Sequence, residues 1–209
     1  MVVICSLGAW ASTDAVVNGG FETGLLDPWT IDSCGANCST WTVESTVVHG
    51  GTYAAETTGS HEIMQTLPEY DGIHPGVFTG LIDSTSLWFK TSANIVAIEL
   101  LYSGITVSSP TCTSPGVLCI DVNDGDWHDY GSYLMSDFQT GAGSGQFLTG
   151  ILIGTGGSSS HASYLDDVSI MADTSFNPQP TPEPMSLLLI GSGAMALAAL
   201  RLNPILRRK

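Results

Sequence analysis

Two adjacent carboxylates stand in the otherwise apolar run Tyr164-Leu165-Asp166-Asp167-Val168-Ser169-Ile170. Read as a strand, the run gives Asp166 the parity of Val168 and Ile170 and turns it inward. A carboxylate there is costly unless it is paired or ligated, so the position points to a metal ion or to buried hydrogen bonds. A second acidic stretch, Asp121-Val122-Asn123-Asp124-Gly125-Asp126, has part of the spacing of a calcium loop. Its glycine comes one residue early, and Trp127-His128 stand where the spacing to a bidentate glutamate is needed. A polar hairpin turn is the better reading.

Four of the five cysteines fall in two close pairs, Cys34/Cys38 and Cys112/Cys119. Each pair lies in a loop rich in Gly, Ser or Pro. Three and six intervening residues suit zinc ribbons poorly, so local disulfides Cys34–Cys38 and Cys112–Cys119 are expected, which an oxidising compartment permits. Carbohydrate recognition is the chemistry open to the aromatic residues, whose faces stack on pyranose rings. Trp41, Tyr102 and Tyr130 are the candidates for that role. Catalysis has little support. Ser158-Ser159-Ser160-His161 has no strand–turn–helix context for a nucleophile, no two carboxylates are singled out as facing each other, and the five histidines have no metal-binding spacing. The chain is therefore expected not to be an enzyme.

The elements that must position these groups are strands. The 209 residues are rich in Gly, and a single lysine, Lys90, stands against all 20 carboxylates in the region upstream of residue 185. Nucleic-acid binding needs basic residues to displace counterions and is excluded. An acidic, Lys-poor surface suits an exported protein or one that binds cations. Short alternating or apolar runs recur at 41–48, 53–55, 61–67, 87–90, 95–102, 117–122, 127–135, 147–153 and 162–171, with turn residues between them. No sustained helical period occurs before residue 185. About ten short strands predict an all-β sandwich over residues 12–173.

The ends differ in kind. Residues 1–11 read as a short signal peptide with a small-x-small site at Ala9-Trp10-Ala11; Cys5 falls within it. Residues 174–181 read as a Pro-rich stalk. Then come Pro182-Glu183-Pro184, an apolar run, and a tail with Arg201, Arg207, Arg208 and Lys209. With Leu202 extending it, the apolar run predicts one membrane helix over 185–202, and the basic cluster places its end in the cytoplasm. This tripartite pattern over 182–209 resembles the PEP-CTERM sorting signal. The resemblance implies a bacterial protein exported through the Sec machinery, held for a time in the inner membrane, processed by an exosortase near Pro182, Glu183 and Pro184, and delivered to the cell surface or extracellular matrix. Arg201 and Asn203-Pro204 interrupt the pattern.

A second resemblance lies within the domain. Asn18-Gly19-Gly20-Phe21-Glu22-Thr23-Gly24 opens it, and the Tyr164–Ile170 run closes it. Between them, His49-Gly50-Gly51-Thr52-Tyr53-Ala54-Ala55 and Asp126-Trp127-His128-Asp129-Tyr130 look like two further elements of the same pattern. Together they resemble the galactose-binding-like jelly roll of bacterial carbohydrate-binding modules. That resemblance implies a structural Ca²⁺ between the first and last strands, with Glu22, Asp166 and Asp167 as ligands and backbone oxygens near residues 50–52 as helpers. The expected function is non-catalytic binding at the surface or in the matrix, with extracellular polysaccharide as the partner. The alternative is a purely structural matrix protein without a specific ligand, and a glycan hydrolase is the more distant one.

Overall fold

The computed structural model describes residues 12–31, 40–69, 74–92, 95–104, 112–120, 122–156 and 161–173. The stalk, the processing motif, the predicted membrane helix and the Cys34–Cys38 pair lie outside the described residues. Among the described residues no helix is long and apolar enough to cross a membrane.

The described residues form twelve strands in chain order: β1 Ser12–Asp14, β2 Thr30–Ile31, β3 Thr42–Glu44, β4 Ala54–Thr58, β5 His61–Thr66, β6 Val77–Phe78, β7 Ile82–Thr91, β8 Ile95–Tyr102, β9 Val117–Ile120, β10 Trp127–Asp129, β11 Phe147–Gly156 and β12 Ala162–Asp173. They build two antiparallel sheets. The first has the order β10-β7-β12-β4-β3, with β1 on the far half of β12. The second has the order β2-β5-β11-β8-β9, with β6 on β11. Alternation decides which side chains meet between the sheets. Leu87, Phe89, Leu165 and Ile170 come from the first sheet, and Ile63, Ile98, Ile151 and Ile153 from the second; all are buried in one core. Each such side chain contributes about 1.5–3 kcal/mol on burial.

The sandwich also carries a helix that was not expected. Residues 130–135, expected to continue a strand, instead enter α1, Gly131–Thr140. Strand β10 stops at Asp129, whose Oδ1 accepts the N–H groups of Leu87 (3.2 Å) and Gly131 (2.9 Å) and so turns the chain. Tyr130, Leu134 and Phe138, four residues apart, are all buried, and that spacing makes one helical face. The period spans only two turns and is easily missed in a strand-rich sequence. The other expected runs each contain a strand, with β4, β7, β11 and β12 reaching past their expected ends and β3 only three residues of the expected 41–48. Cys112 and Cys119 have their sulfurs at bonding distance, ahead of and within β9.

Candidate functional site

The two ends of the domain meet at an irregularity in β12. Opposite β7, Asp166 pairs with Trp88 but Ser169 pairs with Ser86, so β12 carries one extra residue. Asp167 takes a left-handed φ of 48° there. This bulge exchanges the faces of the strand. Before it, Ser163 and Leu165 face the core; after it, Val168, Ile170 and Ala172 do. Asp166 is completely buried, yet it pairs with Trp88, whose neighbours Leu87 and Phe89 fill the core. It therefore lies on the outer face of the first sheet, not inward. The parity argument runs through the bulge and fails there.

A backbone turn covers Asp166. Its Oδ2 accepts the N–H groups of His49 (2.9 Å) and Gly50 (3.1 Å), and its Oδ1 accepts that of Asp167 (2.8 Å). Burial pushes this carboxyl above the ordinary aspartate range, against the pull of the Gly50, His49 and Asp167 N–H groups. The same turn holds Glu22, whose Oε1 accepts the N–H groups of Thr52 (2.8 Å) and Tyr53 (3.1 Å). These two donors, Thr52 first, hold the exposed Glu22 carboxyl below the usual range. Gly51 sits between them at φ 63°, and a Cβ there would run into the Glu22 carboxylate. Asp167 Oδ2 pairs with His49 Nδ1 at 2.7 Å.

The three residues expected to bind calcium thus border the same turn, but the Glu22 carboxylate lies against Gly51 and only its Cγ reaches the Gly20 position. A Cβ at Gly20 would stand 3.4 Å from Asp167 Oδ1, 3.9 Å from Asp166 Oδ1 and 3.8 Å from Glu22 Cγ. The turn offers them N–H donors where carbonyl oxygens were expected. Among the described residues no group of three or more His, Cys, Asp or Glu is arranged to hold a metal ion. Residues 122–126 of the second acidic stretch form a polar turn, in which Asp124 Oδ1 accepts the Asp126 N–H (2.9 Å) and lies 3.0 Å from His128 Nε2.

Beside this junction the outer face of the first sheet carries rings. His49 stacks on Trp88 with centroids 3.7 Å apart and planes 14° from parallel. Trp127 meets the edge of His49 at 5.6 Å and lies 6.4 Å from Tyr164. All four are partly exposed. Lys90 is the register partner of both Trp127 and Tyr164. The Tyr164 hydroxyl bonds Glu56, and burial with that carboxylate raises its pKa. An open cleft of 430 Å³ adjoins the row, lined by Asp14, Asn18, Gly20, Trp88, Asp167 and Ser169 among others.

The three aromatic residues expected to touch ligand are elsewhere. Trp41, Tyr102 and Tyr130 are 1%, 4% and 6% exposed and belong to the core. Trp41 packs inward just ahead of β3. The Tyr102 hydroxyl bonds Asp137 of α1, and Tyr130 is the first residue of the buried helical face. Tyr164 was missed. Its signal was present: it alternates with Ser163 and Leu165, which face inward.

No family model and no curated protein matches the chain. Solved structures do resemble it in fold. A family 61 carbohydrate-binding module in complex with β-1,4-galactotriose superposes with a TM-score of 0.50 at 17% identity, over 78% of this chain and 100% of that one. The enzymatically active domain of tailspike protein 4 from bacteriophage CBA120 gives 0.49 at 14%, over 77% and 21%. A xylan-binding family 22 module from Paenibacillus barcinonensis gives 0.46 at 15%, over 79% and 97%. With two packed antiparallel sheets and a flanking helix, the fold of this chain is the β-sandwich found in carbohydrate-binding modules.

Proposed function

We propose that this chain is an exported, non-catalytic protein whose β-sandwich binds polysaccharide on the outer face of its first sheet. One observation carries the reading. His49, Trp127 and Tyr164 form a row of partly exposed rings on a rigid sheet, with Lys90 and Glu56 among them as hydrogen-bonding groups. Rings stack on the C–H faces of sugars, and flanking polar groups fix their hydroxyls. The sandwich fold shared with carbohydrate-binding modules supports the same reading. Export rests on the sequence pattern at 182–209, from which processing by an exosortase after Sec-dependent export follows. Mass spectrometry of the mature termini tests that part.

Binding is tested with the full chain in a pull-down on insoluble xylan and galactan. Trp127→Ala should weaken retention at least tenfold, in line with the loss of one stacking ring, while the melting temperature changes little. Unchanged retention would remove the aromatic row from the site.

A structural Ca²⁺ on Glu22, Asp166 and Asp167 is a separate proposal. The approach of Asp166 and Asp167 oxygens to Gly20, with Glu22 beside them, supports it, and the N–H groups already on Glu22 and Asp166 oppose it. Bound ion would raise the melting temperature by mass action. A chelator that leaves the melting temperature unchanged removes it.

A further inference from the structure

The charge around the aromatic row narrows the ligand. Resting on the polysaccharide-binding reading, we infer that this face takes neutral glycans and rejects those built of uronic acids. Its rings are set in a carboxylate frame. Glu56 bonds the Tyr164 hydroxyl, and Glu44 lies close enough to raise the same hydroxyl's pKa. Asp129 is the register partner of Trp88, and Asp167 pairs with His49 at its edge. Asp126 leads into Trp127. Within the frame the described residues offer one fixed cation, Lys90, lying between Trp127 and Tyr164 in register.

Ionised carboxylates only accept hydrogen bonds, and sugar hydroxyls donate them, so the frame complements a neutral pyranose. A uronate brings a second acceptor with a like charge. It must approach several carboxylates at distances shorter than the screening length of physiological salt. One lysine cannot balance them, and like-charge contacts select against the wrong partner rather than strengthen the right one. The rings do not discriminate, because both classes of sugar have apolar C–H faces. Selection on this surface is therefore electrostatic and sensitive to salt.

Affinity electrophoresis of the full chain tests this, in gels cast with xylan, with β-1,4-galactan or with polygalacturonate, all with chelator present. The expected result is retention by at least one neutral polymer and at least tenfold weaker retention by polygalacturonate at low salt. In 0.5 M NaCl the neutral retention should hold within twofold and the difference should narrow. Retention by polygalacturonate equal to or above the neutral polymers overturns the inference and leaves polysaccharide binding standing. A difference unaffected by salt also overturns it, since the discrimination would then be steric. Retention by none of the three polymers, at either salt, overturns the binding reading for these ligands and this inference with it. Trp127→Ala and Tyr164→Ala, each with a native melting transition, should both lose neutral retention; retention by both variants would place the site on another surface and overturn the inference.

Discussion

Among the described residues two carboxylates are buried, one on the outer face of each sheet, and they are treated differently. Asp166 on the first sheet receives three backbone N–H groups. Glu99 on β8 of the second sheet is 8% exposed and stands near Glu62, with Leu152 and Val117 as its register partners. Burial first, and then Glu62, raises the Glu99 carboxyl. The first charge is built into the fold and fastens the turn at residues 49–50 to the closing strand. The second is tolerated by the fold. Burial alone thus says nothing about whether a charge stabilises; the donors aimed at it decide.

Removing Asp166 should have the largest effect. Asp166→Ala leaves three N–H groups without acceptor and should cost about 3 kcal/mol, measured by urea unfolding. Asp166→Asn keeps one carbonyl oxygen and should cost less. A loss below about 1 kcal/mol for the alanine variant would erase the distinction between the two carboxylates. Gly51→Ala comes next. It forces a side chain into the left-handed region and against Glu22, at about 2 kcal/mol. A neutral result would mean that the turn shifts freely and does not clamp the junction.

Glu99→Gln should act in the opposite direction and weakly, stabilising by about 0.5 kcal/mol at neutral pH. The sign follows from proton binding. With its folded pKa above the ordinary 4.5, Glu99 binds more protons folded than unfolded in the interval above that value. Its contribution is therefore favourable at the low end of the interval and is lost as pH rises through the folded pKa. The difference in melting temperature between wild type and Glu99→Gln should widen from pH 4 to pH 7. A variant less stable than wild type at pH 7 would show that Glu99, too, is held by the fold.

Much of the fold was legible because alternation is local. The runs at 61–67, 95–102 and 147–153 become β5, β8 and β11. The resemblance of the two end motifs singled out Glu22, Asp166 and Asp167, and all three border the turn at residues 49–53. The helix at Gly131–Thr140 was not legible, because two turns give too short a period beside a preceding strand. The aromatic residues were misassigned for a related reason. Whether a ring faces the core depends on the strand's phase, and phase is fixed by partners rather than neighbours.

Sequence alone determined that the domain is made of strands, that it is strongly acidic with Lys90 its single lysine, and that Glu22 near its start and Asp166 and Asp167 near its end stand out among its carboxylates. Each follows from residue type or short-range order. Tertiary structure decided the rest. It placed Asp166 outside the core by inserting one extra residue in β12 between Asp166 and Ser169, opposite Trp88 and Ser86, and it set Trp127 and Tyr164, not Trp41, Tyr102 and Tyr130, on the open face. A single inserted residue inverts every side chain beyond it. That inversion is recorded only in the pairing of strands distant in sequence.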